Sequence, residues 1–271
     1  MRSLTAQYGA KSDTGLKRGH NEDRFWADPD LGLYVVCDGM GGHRAGEIAS
    51  ARAVEVISYH VSAAARNQAH PLVGVYRPEF SERTNRLASA VRLANQTIYQ
   101  EASSCSDYAG MGTTVVSVLV SENVLSIAHV GDSRLYLMRD GNLHPLTSDH
   151  SLVAEQVRCG MLDTREAACV GHKHVLTRAV GVAATIDVEL GEVPLLRDDL
   201  LLLCSDGLTS GVSPLNILRS LTEKVDPQVM SEELVTLSNA AGGEDNTTVI
   251  VVMLPGSHPT IWQRIRGRLF P

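Results

Sequence analysis

The chain has 271 residues, 44% of them hydrophobic, which suits one large domain with a full core. Its 24 basic against 31 acidic residues leave a net charge of −7, which excludes the broad basic face that non-specific nucleic-acid binding requires. The longest apolar runs, LGLYVVC and LLLLC, fall far short of the roughly 20 residues that span a bilayer, and MRSLTAQYGAKSD has no apolar stretch of the secretory kind, so the expectation is a cytoplasmic protein without membrane contact.

In chain order, a strand is predicted over 33–37, closed by Asp38 and GMGG. Helical periodicity follows over 45–65 and again over 80–103, where Leu87, Val91, Ala94 and Ile98 share one stripe. Between these two helices, Pro71, Gly74 and Pro78 mark a surface loop. Strands over 113–120, 124–130 and 134–139 are separated by SEN and GDS, loops short enough to predict antiparallel hairpins, and RDGN makes another tight turn. A helix over 151–160, a strand over 200–204, helices over 213–221 and 228–241 and a strand over 246–254 complete an α+β domain of mostly antiparallel strands covered by helices.

Five cysteines at irregular spacing, with no C-x-x-C pair, read as reduced thiols, and Cys37 and Cys204 fall inside apolar strands as core residues. Cys159 and Arg165 have the C-x₅-R spacing of cysteine-dependent phosphatases. A loop that cradles a phosphate dianion favours small, uncharged residues, however, and here Met161, Leu162 and Asp163 fill it.

The acids carry more information. Three apolar segments each meet an aspartate beside a glycine or amide residue: VVCDG (Asp38), LLCSDG (Asp206) and GGEDN (Asp245). HVGDSR adds Asp132, and RGHNEDR adds Glu22 and Asp23. One such aspartate is ordinarily a turn or helix cap. Several of the same form are harder to explain that way, because strand ends meeting at one edge of a sandwich would crowd carboxylates that repel unless a cation holds them. Oxygen ligands without histidine or thiolate point to magnesium or manganese rather than zinc. On this reading Asp38 bridges two cations and Gly39 leaves its carbonyl free to approach one; by spacing alone, GMGG serves equally well as a turn before the helix. Two ions roughly 3.5–4 Å apart that share a water lower its pKa and aim it at phosphorus. Arg18 would offer phosphoryl oxygens a planar double donor, although a loop arginine is more often a solvated charge.

RGHNEDR, VVCDGMGGHRAGEIAS, GMGTTVVSVLV, AHVGDSRLYLMRDG, LTSDHSLV, VLTRAVG, LLLCSDGL and GGEDNTTVIVV follow one another from about residue 5 to 254. In this order they resemble the type 2C, metal-dependent protein serine/threonine phosphatases in their compact bacterial form. The resemblance implies a four-layer αββα sandwich, two central mostly antiparallel sheets flanked by helix pairs, in a catalytic domain over 1–255 followed by a basic tail over 256–271. It implies a dinuclear Mn²⁺ or Mg²⁺ centre in which Asp38 bridges, Gly39 gives its carbonyl, Glu22 holds the second ion, and Asp206 and Asp245 hold the first. Asp132 would share a weaker third ion with Asp206, and Arg18 would bind phosphate. Asp23, His43 and Asn246 are candidates for support or proton donation. The reaction implied is hydrolysis of phosphoserine and phosphothreonine by a metal-bridging hydroxide, in a monomer whose partners are phosphorylated proteins, among them a serine/threonine kinase or its substrates.

The sequence departs from many eukaryotic relatives in placing Met40 where they have a histidine that is proposed to protonate the leaving alkoxide. A thioether has no proton to give, which leaves His43 or a metal-bound water. A flap over about 147–180 carries His172, Lys173 and His174, which could meet a phosphopeptide or be solvated surface. Two other functions compete with this one: a silent phosphoprotein-binding module, which would be expected to lose ligands, and a metal-dependent phosphatase or nuclease on small molecules or nucleic acid, against which the acidic balance speaks for nucleic acid.

Overall fold

The computed structural model describes residues 6–41, 45–67, 71–121, 123–163, 166–167 and 175–254. His43, His172, Lys173, His174, Arg165 and the tail over 256–271 lie outside the described residues.

In chain order the elements are β1 (Gln7–Asp13), β2 (Asp23–Asp28), β3 (Leu33–Met40), α1 (Ala45–Arg66), α2 (Glu82–Ser104), β4 (Gly112–Thr113), β5 (Val115–Ser121), β6 (Val124–Val130), β7 (Arg134–Arg139), β8 (Asn142–Pro145), α3 (Leu152–Arg158), β9 (Glu189–Pro194), β10 (Leu200–Cys204), α4 (Asp206–Gly211), α5 (Pro214–Glu223), α6 (Pro227–Ala240) and β11 (Thr247–Met253). One sheet runs β2-β3-β5-β6-β9, with β4 beside the end of β3, and the other runs β1-β11-β10-β7-β8. Neighbouring strands are antiparallel throughout.

The layering follows from residue alternation. In β3, Leu33, Val35 and Cys37 turn outward into a core with Ala49, Ile57, Leu87 and Val91 of α1 and α2. Tyr34 and Val36 turn inward to meet Leu201, Leu203, Ile250 and Val252 of the other sheet. The opposite faces of those strands, through Leu200, Leu202, Val249 and Val251, pack on Ile217, Leu221, Met230 and Leu234 of α5 and α6. Three cores between four layers make the αββα sandwich, and truncating a fully buried side chain such as Ile57 to alanine should cost about 2–5 kcal/mol. Cys37 and Cys204 are fully buried, as expected for core thiols. Among the described residues, no helix is long and apolar enough to cross a membrane.

The hairpin expectation needs one correction. SEN does join paired strands β5 and β6, and RDGN joins β7 and β8, with Asp140 and Gly141 at φ 52° and 74°. GDS does not: β6 and β7 lie in different sheets. Gly131, at φ 108°, turns the chain across the sandwich, and a Cβ there would sit 2.6 Å from the Thr114 methyl. The crossing leaves Asp132 in the passage between the sheets rather than at a hairpin tip.

Candidate metal centre

Asp38 lies near the end of β3, opposite Asp23 of β2 in the strand register. Its backbone is fixed from the β4–β5 junction: Asp38 N–H donates to Thr114 Oγ1 at 3.0 Å, and its carbonyl accepts from Thr114 N at 2.8 Å and Thr113 Oγ1 at 2.8 Å. Thr114 Oγ1 is also 2.6 Å from Ser133 Oγ, which ties this strand end to the Asp132 turn. Asp206 opens α4 directly after β10, Asp245 stands just before β11, and Glu22 just before β2. Residues from widely separated segments therefore converge on one edge.

Asn246 organises the first of these segments. Its Oδ1 accepts from Glu22 N at 2.8 Å, while its Nδ2 donates to the carbonyls of Thr14 and His20, each at 2.9 Å. One amide thus holds the loop that carries Arg18 and Glu22. Asp23, only 1% exposed, accepts at Oδ2 from Ser205 Oγ at 2.8 Å, and its Oδ1 makes no hydrogen bond. Ser205 in turn accepts from Thr248 N at 2.9 Å, linking β10, β11 and β2 below the acids.

Gly39 is required by space rather than by an unusual φ. A Cβ there would lie 2.1 Å from the Gly46 carbonyl oxygen and 2.7 Å from that of Glu22. The first turn of α1 is pressed against the end of β3, and a side chain on either glycine would separate them.

The electrostatics are those of crowded acids. Burial, then the charges of Asp23, Asp206, Asp132 and Asp245, push Asp38 well above the ordinary carboxylate range. Burial and the charge of Asp206 push Asp132 up to about 7. Burial also raises Asp23 to about 7, against the Thr248 and Ser205 hydroxyls that favour its ionised form. Glu22 is raised by burial, with Arg18 opposing. Arg18 Nη2 reaches Asp245 Oδ2 at 2.7 Å, and the pair is half-exposed. Every candidate side-chain ligand in this set offers a hard oxygen, and the like charges are held together by the fold, so the residues fit hard divalent cations. Among the described residues, no three of these acids bring ligand atoms within 4.8 Å of one another.

A cleft lined by Pro29, Leu31, Val61, Arg83 and Arg197 lies by the β2–β3 turn, at the opposite end of β3 from Asp38. Sequence reading missed Thr113, Thr114, Ser133, Ser205 and Gly46; the available signal was a hydroxyl residue beside the acid in both CSDG and GDSR.

The family model described as Protein phosphatase 2C matches residues 17–241. The chain belongs to that family. This phosphatase is 38% identical over 251 residues to a protein named serine/threonine phosphatase stp from Listeria welshimeri, covering 89% of the chain and 93% of that relative. The crystal structure of the Mycobacterium tuberculosis serine/threonine phosphatase PstP/Ppp superposes with a TM-score of 0.82 at 33% identity, covering 93% of this chain and all of that one. The catalytic domain of PstP in complex with two manganese ions gives a TM-score of 0.78 at 33% identity, covering 92% of this chain and 98% of that one.

Proposed function

We propose that this phosphatase hydrolyses phosphoserine and phosphothreonine in proteins with two Mn²⁺ or Mg²⁺ ions, held by Asp38, the Gly39 carbonyl, Glu22, Asp206 and Asp245, and a weaker third between Asp132 and Asp206. The observation that carries this reading is Asp38, whose carboxyl is crowded by four other acids whose repulsion a cation would relieve. Relatives named serine/threonine phosphatase support the substrate class, and the manganese complex of PstP supports the choice of ion.

When bound, such a pair of ions supplies a shared water of lowered pKa positioned for in-line attack on phosphorus. The chain's own residues do the rest. Arg18 gives up a half-exposed ion pair worth under about 1 kcal/mol and turns its planar guanidinium on the phosphoryl oxygens. Asn246 keeps Arg18 and Glu22 on one held loop. Met40 donates no proton, so the leaving alkoxide takes its proton from His43 or from water, and the pH–rate profile of His43→Ala separates the two.

The catalytic domain is taken as 1–255, its flap as 147–180, and the basic segment 256–271 as a tail outside it. Free thiols at Cys37, Cys105, Cys159 and Cys204 suit a reducing cytoplasm, and the chain is taken as a monomer. There the natural partners are phosphorylated proteins, including a serine/threonine kinase or its substrates.

Phosphate release from a phosphothreonine peptide tests the reading. Mn²⁺ or Mg²⁺ should support it, chelator should abolish it, and nucleotides should be poorer substrates. Peptide binding under saturating Mn²⁺ without turnover would favour a silent binding module instead.

A further inference from the structure

The thioether of Met40 gives no proton to a leaving group, but it builds a surface of its own beside the acids. Asp38 and Met40 are two positions apart on β3 and therefore stand on the same face of that strand. Met40 pairs with Gly112 of β4 in the strand register. Gly112 has no side chain, and the space over it is filled from two sides: a Cβ there would lie 2.9 Å from Met40 Cε and 2.7 Å from Val182 Cγ2. The two methyl groups thus flank one point on the face that carries Asp38, with Met40 partly buried and Val182 52% exposed.

The segment that presents Val182 is held on both sides. Val180 N–H donates to the Thr113 carbonyl at 2.8 Å, and Thr113 N–H donates to the Val180 carbonyl at 2.9 Å. Asn95 of α2, only 1% exposed, accepts at Oδ1 from Gly181 N at 2.8 Å and donates from Nδ2 to the Ala183 carbonyl at 2.9 Å. Gly181, at φ 91°, lets the chain lie flat on Ile98, whose Cγ2 a Cβ would meet at 2.2 Å. A single exposed valine is ordinary. This one has both chain neighbours pinned to a buried amide, adjoins a second apolar group and belongs to an uncharged run over 179–186, although it stands beside a cluster of acids. Apolar surface fixed in this way has little ordering left to lose when something covers it.

We propose that Met40 and Val182 form an apolar subsite that receives an aliphatic side chain two positions away from the phosphorylated residue of an extended substrate. The subsite presupposes phosphoprotein hydrolysis at the acidic centre. Side chains i and i+2 of an extended peptide share a face and stand about 6.6–6.8 Å apart, the same spacing that separates Asp38 from Met40 along β3. A substrate laid along that face with its phosphorylated residue over Asp38 therefore brings a side chain two positions away over Met40 and the Val182 methyl. An aliphatic group there removes apolar area from water on both partners. A charged or amide group would lose hydration without gaining a hydrogen bond, because the wall offers only methyl and thioether groups.

Steady-state phosphate release from matched phosphothreonine peptides, in saturating Mn²⁺ and with the full chain, tests the subsite. One series varies the residue two positions before the phosphothreonine and the other the residue two positions after it, each with leucine, alanine or glutamine. In one series leucine should exceed alanine by about ten-fold in kcat/KM, with the difference in KM because the contact is already made in the bound substrate, and glutamine should do no better than alanine. Val182 is exposed, so Val182→Ser should fold, and it should shrink the leucine-to-alanine ratio in that series to about three-fold or less. No leucine preference in either series of the wild type, or an unchanged ratio in Val182→Ser, would overturn the subsite while leaving the phosphatase reading in place. Release from none of the peptides would overturn both.

Discussion

Arg18 Nη2 and Asp245 Oδ2 meet at 2.7 Å across 227 positions of the chain. A half-exposed pair of this kind adds little to stability, so its value lies in where it parks the guanidinium. Arg18→Ala should leave the melting temperature within a few degrees and raise KM for a phosphopeptide by about 10–100-fold, since a charge-assisted bidentate contact is worth roughly 1.5–3 kcal/mol. Arg18→Lys, with a point charge instead of a planar fork, should recover only part. Steady-state kinetics on one peptide series decide the matter.

Asp38→Asn should separate activity from stability. Phosphate release should fall by roughly 10³-fold or more, the scale of losing one preorganised electrostatic group. In chelator at neutral pH the same variant should melt above the wild type, because asparagine has no proton to take up on being buried among the other four acids. Calorimetry with and without Mn²⁺ would show the order of stabilities reversing.

Gly39→Ala and Gly46→Ala should both be destabilising by about 1–3 kcal/mol or more, since the new methyl groups would meet backbone at 2.1 and 2.8 Å. Gly19, where an added methyl would meet nothing within 4 Å, is the control, and its alanine variant should be neutral. Urea midpoints compare the three directly.

The cores and the candidate acids were legible because each follows from a strong local pattern. Leu33 to Cys37 and Leu200 to Cys204 are apolar on both faces, as only central strands can be. The missed strands β1, β2, β8 and β9 are the four sheet edges, and each is largely polar or half-exposed, so alternation alone could not reveal them. The GDS crossover misled for a related reason: a three-residue connection has the length of a hairpin, and only the glycine at φ 108° and the pairing of β7 with β10 distinguish it. Spacing marked Asp38 and Gly39, but the reason for Gly39 is the approach of Gly46, which lies on the next element.

Asn246→Ala should loosen the loop over residues 14–22 without unfolding the domain. Three hydrogen bonds are lost, leaving the Glu22 amide and the Thr14 and His20 carbonyls without this partner. Hydrogen exchange at Glu22 should accelerate, and the Mn²⁺ concentration for half-maximal activity should rise by about ten-fold, the cost of a disturbed ligand support.

The pH dependence follows from acids raised to about 7 at Asp23 and Asp132, with Asp38 also raised well above the ordinary carboxylate range by burial and its acidic neighbours. In metal-free protein these groups hold protons that the unfolded chain releases above about pH 4, so their stabilising contribution is present at low pH and lost as pH rises through about 7. Cations bind the ionised forms. The gain in melting temperature on adding Mn²⁺ should therefore widen between about pH 5 and 8, and a constant gain would show that these acids do not meet the metal.

The most direct measurement is the anomalous scattering of manganese in a soaked crystal. Two strong peaks are expected, lying between Asp38, the Gly39 carbonyl, Glu22, Asp206 and Asp245, with Arg18 released from Asp245. A crystal of enzyme that is active with Mn²⁺ but shows no manganese at Asp38 would contradict the account.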